Sequence, residues 1–194
     1  MSNKEKSRNI AVLGLFTAVI IVLQMLSYTI KIGQFNLSFV LVPIILAAVL
    51  YGPVTGGFMG LVFGVVTYIC SVAGLDAGGN VLFAASPLIT FLVCAVKGAA
   101  AGFVAGLIKK AFRGSHEYLS VVLAAAAAPI VNTGIFVLSM LLFFKSTLSA
   151  WAGGTDIAYY IIFSLIGVNF IIEFIINIVM APAVYRVSKA VRKI

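Results

Sequence analysis

Phe39-Val40-Leu41-Val42-Pro43-Ile44-Ile45-Leu46-Ala47-Ala48-Val49-Leu50-Tyr51-Gly52-Pro53 is the stretch on which the architecture turns. It lies inside an apolar run, 36–51, that falls short of the roughly 20 residues an α-helix needs to cross the hydrocarbon core. It reads either as a short span or as a re-entrant segment ending at Tyr51-Gly52-Pro53. Five further apolar runs surround it, at 9–30, 54–74, 87–108, 118–144 and 157–185. The chain is 63% hydrophobic and 9% charged, far from the ordinary soluble composition of about 45–50% apolar and about 25% charged.

Charge placement decides the second run. Of the 13 Lys and Arg residues, most fall in three clusters: Lys4, Lys6 and Arg8; Lys109, Lys110 and Arg113; and Arg186, Lys189, Arg192 and Lys193. Lys/Arg excess marks the cytoplasmic flanks of transmembrane helices. With six spans all three clusters lie on one side, only Lys31 and Lys145 are external, and Lys97 lies within the bilayer. With five spans the C-terminal cluster would be stranded outside. The expected fold is therefore an all-α integral membrane protein, a single six-transmembrane-helix bundle over 1–194 with N- and C-termini cytoplasmic. The first run is too long for a signal-peptide h-region and lacks a small-residue cleavage site after it, so it is expected to stay.

The formal charge of +8 does not point to nucleic acid, because the basic residues flank spans and form no face interleaved with stacking aromatics. Topology and anionic inner-leaflet lipid account for them. Cys70 and Cys94 sit in apolar runs on adjacent spans and read as small buried thiols, with a disulfide as the alternative. Gly56, Gly57, Gly60 and Gly64 in the third span, and Gly98, Gly102 and Gly106 in the fourth, have the spacing that lets helix backbones approach closely. In the first span, Ala11, Gly14 and Ala18 offer a similar small-residue face.

Two ionisable residues lie deep in spans, Lys97 and Glu173. Intramembrane charges face the bundle interior and pair, or serve a pathway, so these two form either a packing ion pair or part of a ligand site. Asn169, Glu173 and Asn177 recur every four residues and share one face of the sixth span. Pro129 and Asn132-Thr133 add polarity to the fifth, and Gln24, Ser27 and Tyr28 to the outer end of the first. The external segments 75–86 and 145–155 are read as Gly-containing loops that carry Asn80 and Trp151, and the segment after the first span carries Asn36. Together these residues predict a polar pocket open to the outside, walled by the fourth to sixth spans and lidded by loops. Substrate-binding candidates are Asn36, Asn80, Lys97, Asn132, Trp151, Asn169 and Glu173. Catalytic signatures are missing: His116 stands alone in a loop, no His/Cys/carboxylate cluster has metal spacing, and no phosphate loop is present. No cofactor, metal or enzyme activity is expected.

Several stretches resemble the substrate-binding S components of energy-coupling factor (ECF) transporters. They are the basic N-terminus leading into Ala11-Val12-Leu13-Gly14-Leu15-Phe16-Thr17-Ala18, the region Pro43 to Gly56, Lys97-Gly98-Ala99-Ala100-Ala101-Gly102, and Ala181-Pro182-Ala183-Val184 before the final basic residues. The resemblance covers nearly the whole chain. It implies capture of a vitamin or related micronutrient at the extracellular side of the bacterial plasma membrane. It also implies association with a membrane T component and two cytoplasmic ATPase subunits, and toppling of the S component to deliver its load. The family's AxxxA contact motif maps onto Gly14 and Ala18, with glycine replacing the first alanine and Ala11 flanking them. Lys97 suits a substrate carboxylate, which ranks pantothenate ahead of riboflavin. The competing classes are a structural or assembly membrane protein, for which the intramembrane polar stripe has no use, and a membrane enzyme acting on a lipid, which would need paired acids or a metal site.

Overall fold

The computed structural model describes residues 3–29, 31–32, 35–36, 38–112 and 116–192. The chain order is α1 (Asn3–Ser27), a two-residue antiparallel pair β1 (Lys31–Ile32) and β2 (Phe35–Asn36), α2 (Leu41–Tyr51), α3 (Pro53–Val72), α4 (Ala77–Ala85), α5 (Pro87–Ala111), α6 (Glu117–Phe143), α7 (Lys145–Ala152), α8 (Ile157–Tyr160), a π-helical stretch Ile161–Gly167, and α9 (Val168–Arg192). Among the described residues, α3, α5, α6 and the Asn169–Val191 part of α9 are long and apolar enough to cross a membrane. Ala11–Ser27 and Leu41–Tyr51 are shorter apolar helices. At 1.5 Å per residue, the 11 residues of α2 span about 17 Å, roughly half a hydrocarbon core.

That short helix is the centre of the bundle. Val40, Leu41, Ile44, Ile45, Ala47 and Ala48 are buried, and they share one core with Ile20 of α1, Met59 and Phe63 of α3, Ala101 and Ala105 of α5, Val121 of α6 and Ala181 of α9. The turn after α2 follows from two residues. Gly52 has φ +93°, a backbone region closed to most side chains, and Pro53 starts α3, where a missing N–H costs no hydrogen bond.

The most extensive helix pair is α3 with α5, and glycine makes it close. A Cβ on Gly60 would collide with the Gly98 carbonyl, one on Gly56 with the Gly102 carbonyl, and one on Gly64 with the Cys94 carbonyl. Gly106 abuts Pro53 in the same way. The spacing of four in both spans thus builds one antiparallel backbone seam, as the small-residue pattern predicts.

The segments 75–86 and 145–155, expected as loops, are corrected by the structure: most of each is helical, in α4 and α7. Asp76 caps α4 by accepting from the Gly79 N–H at 3.2 Å, which overrides the poor helix propensity of Gly78-Gly79. Leu148 of α7 is buried with Met140 of α6 and Phe144, the residue between the two helices, in a second core cluster. Cys70 and Cys94 are free, buried thiols. At the other end of the bundle, the buried Lys109 Nζ donates to Ser120 Oγ at 2.8 Å and to the Glu117 carbonyl at 3.4 Å, tying α5 to α6. Arg113 and Lys193 lie outside the described residues, as do the side chains of Lys4, Lys6, Arg8 and Arg192.

Candidate functional site

A cavity of about 140 Å³ lies between α1, α3, α4, α5, α6 and α9. Lys97 from α5, Asn132 and Thr133 from α6, and Asn169 and Glu173 from α9 line it. The structure therefore brings four of the seven substrate-binding candidates together. The period of the helix does this: residues 169 and 173 are four apart and share a face. A lipid-facing position for either would leave a polar group in hydrocarbon without partners.

The other three candidates stand elsewhere. Asn80 does not line the cavity. Its Nδ2 donates to the Ser71 carbonyl at 2.9 Å, so the residue pins α4 against the end of α3. Trp151 is likewise absent from the lining and packs on the α6–α7 cluster around Met140, Phe144 and Leu148. Asn36 pairs with Lys31 through its backbone, and its side chain lies outside the described residues. The cavity wall is also wider than the three spans expected. α1 contributes Gln24, Ser27 and Tyr28, α3 contributes Thr67 and Ser71, and α5 contributes Thr90.

The hydroxyls were hidden in sequence because single Thr and Ser residues in an apolar helix are commonly consumed by their own backbone. Here that does happen: Thr67 Oγ1 donates to the Phe63 carbonyl at 2.9 Å, Ser71 Oγ to the Thr67 carbonyl at 2.9 Å and Thr90 Oγ1 to the Ser86 carbonyl at 2.8 Å. Each keeps oxygen lone pairs free. The one available signal was the four-residue step from Thr67 to Ser71.

Lys97 and Glu173 both line the cavity. Lys97 Nζ sits over the Phe136 ring, 5.2 Å from its centroid. Glu173 is 6% exposed, and its Oε1 is buried with no hydrogen-bond partner. Gln24 Oε1, Asn132 Oδ1 and Asn169 Oδ1 are buried and unpartnered too. Buried polar groups are nearly always satisfied, so this accumulation of acceptors makes the cavity the candidate site for a polar guest, water or solute. Lys97 is the one basic residue among the described lining, and no group of three or more His, Cys, Asp or Glu able to hold a metal is found among the described residues.

On α1, Ala11, Gly14 and Ala18 are exposed, and a Cβ on Gly14 would meet nothing within 4 Å. Leu15 beside them is 65% exposed. This small-residue face turns away from the bundle and is unused in internal packing.

Two comparisons bear on this architecture. The chain is 24% identical over 189 residues to the pantothenic acid transporter PanT of Lactococcus lactis subsp. cremoris, with 93% of each chain covered. Residues 8–185 match the family model described as "ECF transporter, substrate-specific component". An all-helical bundle with membrane-length helices, an interior polar cavity and a match over almost its full length together mean that this chain belongs to the ECF transporter substrate-specific component family.

Proposed function

We propose that this protein captures pantothenate at the extracellular side of the bacterial plasma membrane and delivers it for ATP-driven uptake by a membrane T component and two cytoplasmic ATPase subunits. The observation that carries the substrate is the lone cation of the cavity. Lys97 has no hydrogen-bond partner among the described residues, and its ammonium is held over Phe136. From the cavity lining it can meet a ligand carboxylate, and a charge-assisted contact contributes about 1.5–3 kcal/mol. Pantothenate has one carboxylate, and its hydroxyls and amide N–H are donors for the unpartnered acceptors. Riboflavin is uncharged and leaves Lys97 unmatched. The pantothenic acid transporter of L. lactis supports the same choice.

In this reading α1 and α2 join the four longer helices as six spans, with both termini cytoplasmic. The concentration of Lys and Arg at the two termini and at the α5–α6 connection supports that orientation. The cavity then faces outward beneath α4, and the exposed Ala11/Gly14/Ala18 face of α1 is the contact for the T component. Lys97, Asn132, Asn169 and Glu173 are the substrate-binding residues.

Calorimetry on the purified protein tests the substrate. Pantothenate is expected to bind tightly and riboflavin weakly or not at all. Tight riboflavin binding with none to pantothenate would sink the assignment.

A further inference from the structure

In sequence Gln24 is one polar residue near the outer end of the first span; in the structure its amide has a defined orientation. It is 5% exposed and lines the cavity from α1. Its Nε2 donates to Tyr28 Oη at 2.7 Å and to Thr67 Oγ1 at 3.3 Å. Thr67 fixes which way the amide points. The Thr67 hydroxyl proton is already given to the Phe63 carbonyl at 2.9 Å, so toward Gln24 this oxygen can only accept. The amide must therefore present its NH2 group to Thr67, which leaves the side-chain carbonyl Oε1 buried and without a partner. Rotating the amide by 180° would place two acceptors face to face.

The position along the bundle matters as much as the orientation. Lys97 adjoins Gly98, whose tier of the seam is Gly60. Thr67 lies seven residues further along α3, about 10 Å at 1.5 Å per residue. Lys97 and Thr67, on which Gln24 leans, are thus rooted at two different tiers of one cavity. A ligand with an anionic end and a hydroxyl-bearing end offers one group to each tier.

We propose that Gln24 is a specificity-determining residue whose side-chain carbonyl, held in place by Thr67, accepts a hydrogen bond from a hydroxyl of the substrate while Lys97 holds its carboxylate end. The inference rests on the pantothenate reading above. Thr67 acts as a positioning residue, reaching the ligand only through Gln24.

The test compares two ligands by calorimetry on the full-length purified protein: pantothenate, and N-(3,3-dimethylbutanoyl)-β-alanine, which keeps the carboxylate and amide but has no hydroxyls. The wild type is expected to prefer pantothenate by about 100-fold or more, because a site built around a hydroxyl rejects a ligand that leaves its acceptor unpaired. Gln24→Met, similar in shape and unable to accept, is expected to lose about 10- to 100-fold for pantothenate and to bind the deoxy ligand within about threefold of wild type. Thr67→Val frees the amide to turn and is expected to fall between, with the same selectivity for the hydroxylated ligand. If Gln24→Met does not fold, Thr67→Val carries the comparison by the same criterion. Unchanged pantothenate affinity in the folded variant, or equal weakening of both ligands, overturns the role of Gln24 and leaves the substrate assignment standing. A wild type that binds neither ligand removes the substrate assignment and the role of Gln24 with it.

Discussion

Gly60→Ala puts one methyl group into one of the tightest places along the α3–α5 seam. Its Cβ would collide with the Gly98 carbonyl oxygen and would stand 2.6 Å from that carbonyl carbon and 3.1 Å from the Ala99 Cα. All three are backbone atoms, so no rotamer change relieves the overlap, and ordinary contact requires α3 and α5 to part by about 1 Å. A gap of that size forfeits a quarter to a half of each dispersion contact. If the seam holds about 60 heavy-atom pairs at ~0.15 kcal/mol each, as many as one buried leucine makes, the loss is about 2–4 kcal/mol. Alanine returns up to about 1 kcal/mol through its better helix propensity. The net destabilisation is about 1–3 kcal/mol, or about 4–8 °C in Tm for the middle of that range. Gly14→Ala is the control, because its Cβ meets nothing within 4 Å, and it should leave Tm unchanged or raise it slightly. The buried free thiols Cys70 and Cys94 supply the assay, since a thiol-reactive fluorophore lights up as they become accessible on heating. A Gly60→Ala protein that melts with the wild type would refute the seam as a backbone-to-backbone contact.

The remaining predictions concern the cavity and the two sides of the bundle. Lys97→Met should weaken pantothenate binding by about 10- to 150-fold, the equivalent of one charge-assisted hydrogen bond, as read by calorimetry with the fold checked by melting. Asn80→Ala removes the bond to the Ser71 carbonyl and should lower stability by about 1 kcal/mol while leaving pantothenate affinity within about twofold; a large affinity loss would return Asn80 to the site. Gly14→Leu on the exposed α1 face should leave ligand binding intact and abolish uptake in vesicles reconstituted with the T component and ATPases, so normal uptake would remove that face from the partner contact. Pantothenate at 100 times its Kd should stabilise the protein by about 2.7 kcal/mol, and a flat melting response across a vitamin panel would count against a ligand-binding role.

How much of this could be read from residues alone depends on the range of the interaction. The third, fourth and fifth apolar runs, read as 54–74, 87–108 and 118–144, are Pro53–Val72, Pro87–Ala111 and Glu117–Phe143 in the structure, because continuous hydrophobicity bounded by Gly, Pro and charge is a local signal. The glycine seam was legible for the same reason. The α4 and α7 helices were not, since the Gly78-Gly79 pair inside one, the Gly153-Gly154 pair after the other and their short length look like connectors until Asp76 caps one and Leu148 docks the other against α6. Asn132, Asn169 and Glu173 announced themselves as polar groups in apolar spans. Thr67 and Ser71 did not, because a hydroxyl bonded to its own helix carries no mark in sequence of what lies beside it. Asn80 and Trp151 show the converse case, where conspicuous residues beside a flexible-looking Gly-Gly pair serve packing instead.

Because the α3–α5 seam is closed at Gly56, Gly60, Gly98 and Gly102 by backbone on backbone, those positions freeze no rotamers and leave little that is soft to absorb a displacement. The half of the cavity they carry, with Thr67, Ser71, Thr90 and Lys97, therefore behaves as a fixed jaw. Widening or narrowing around a guest is then expected to come from α1 and α9 more than from between α3 and α5. The interruption of α-helical geometry at Ile161–Gly167, two residues before Asn169, lies on that other side.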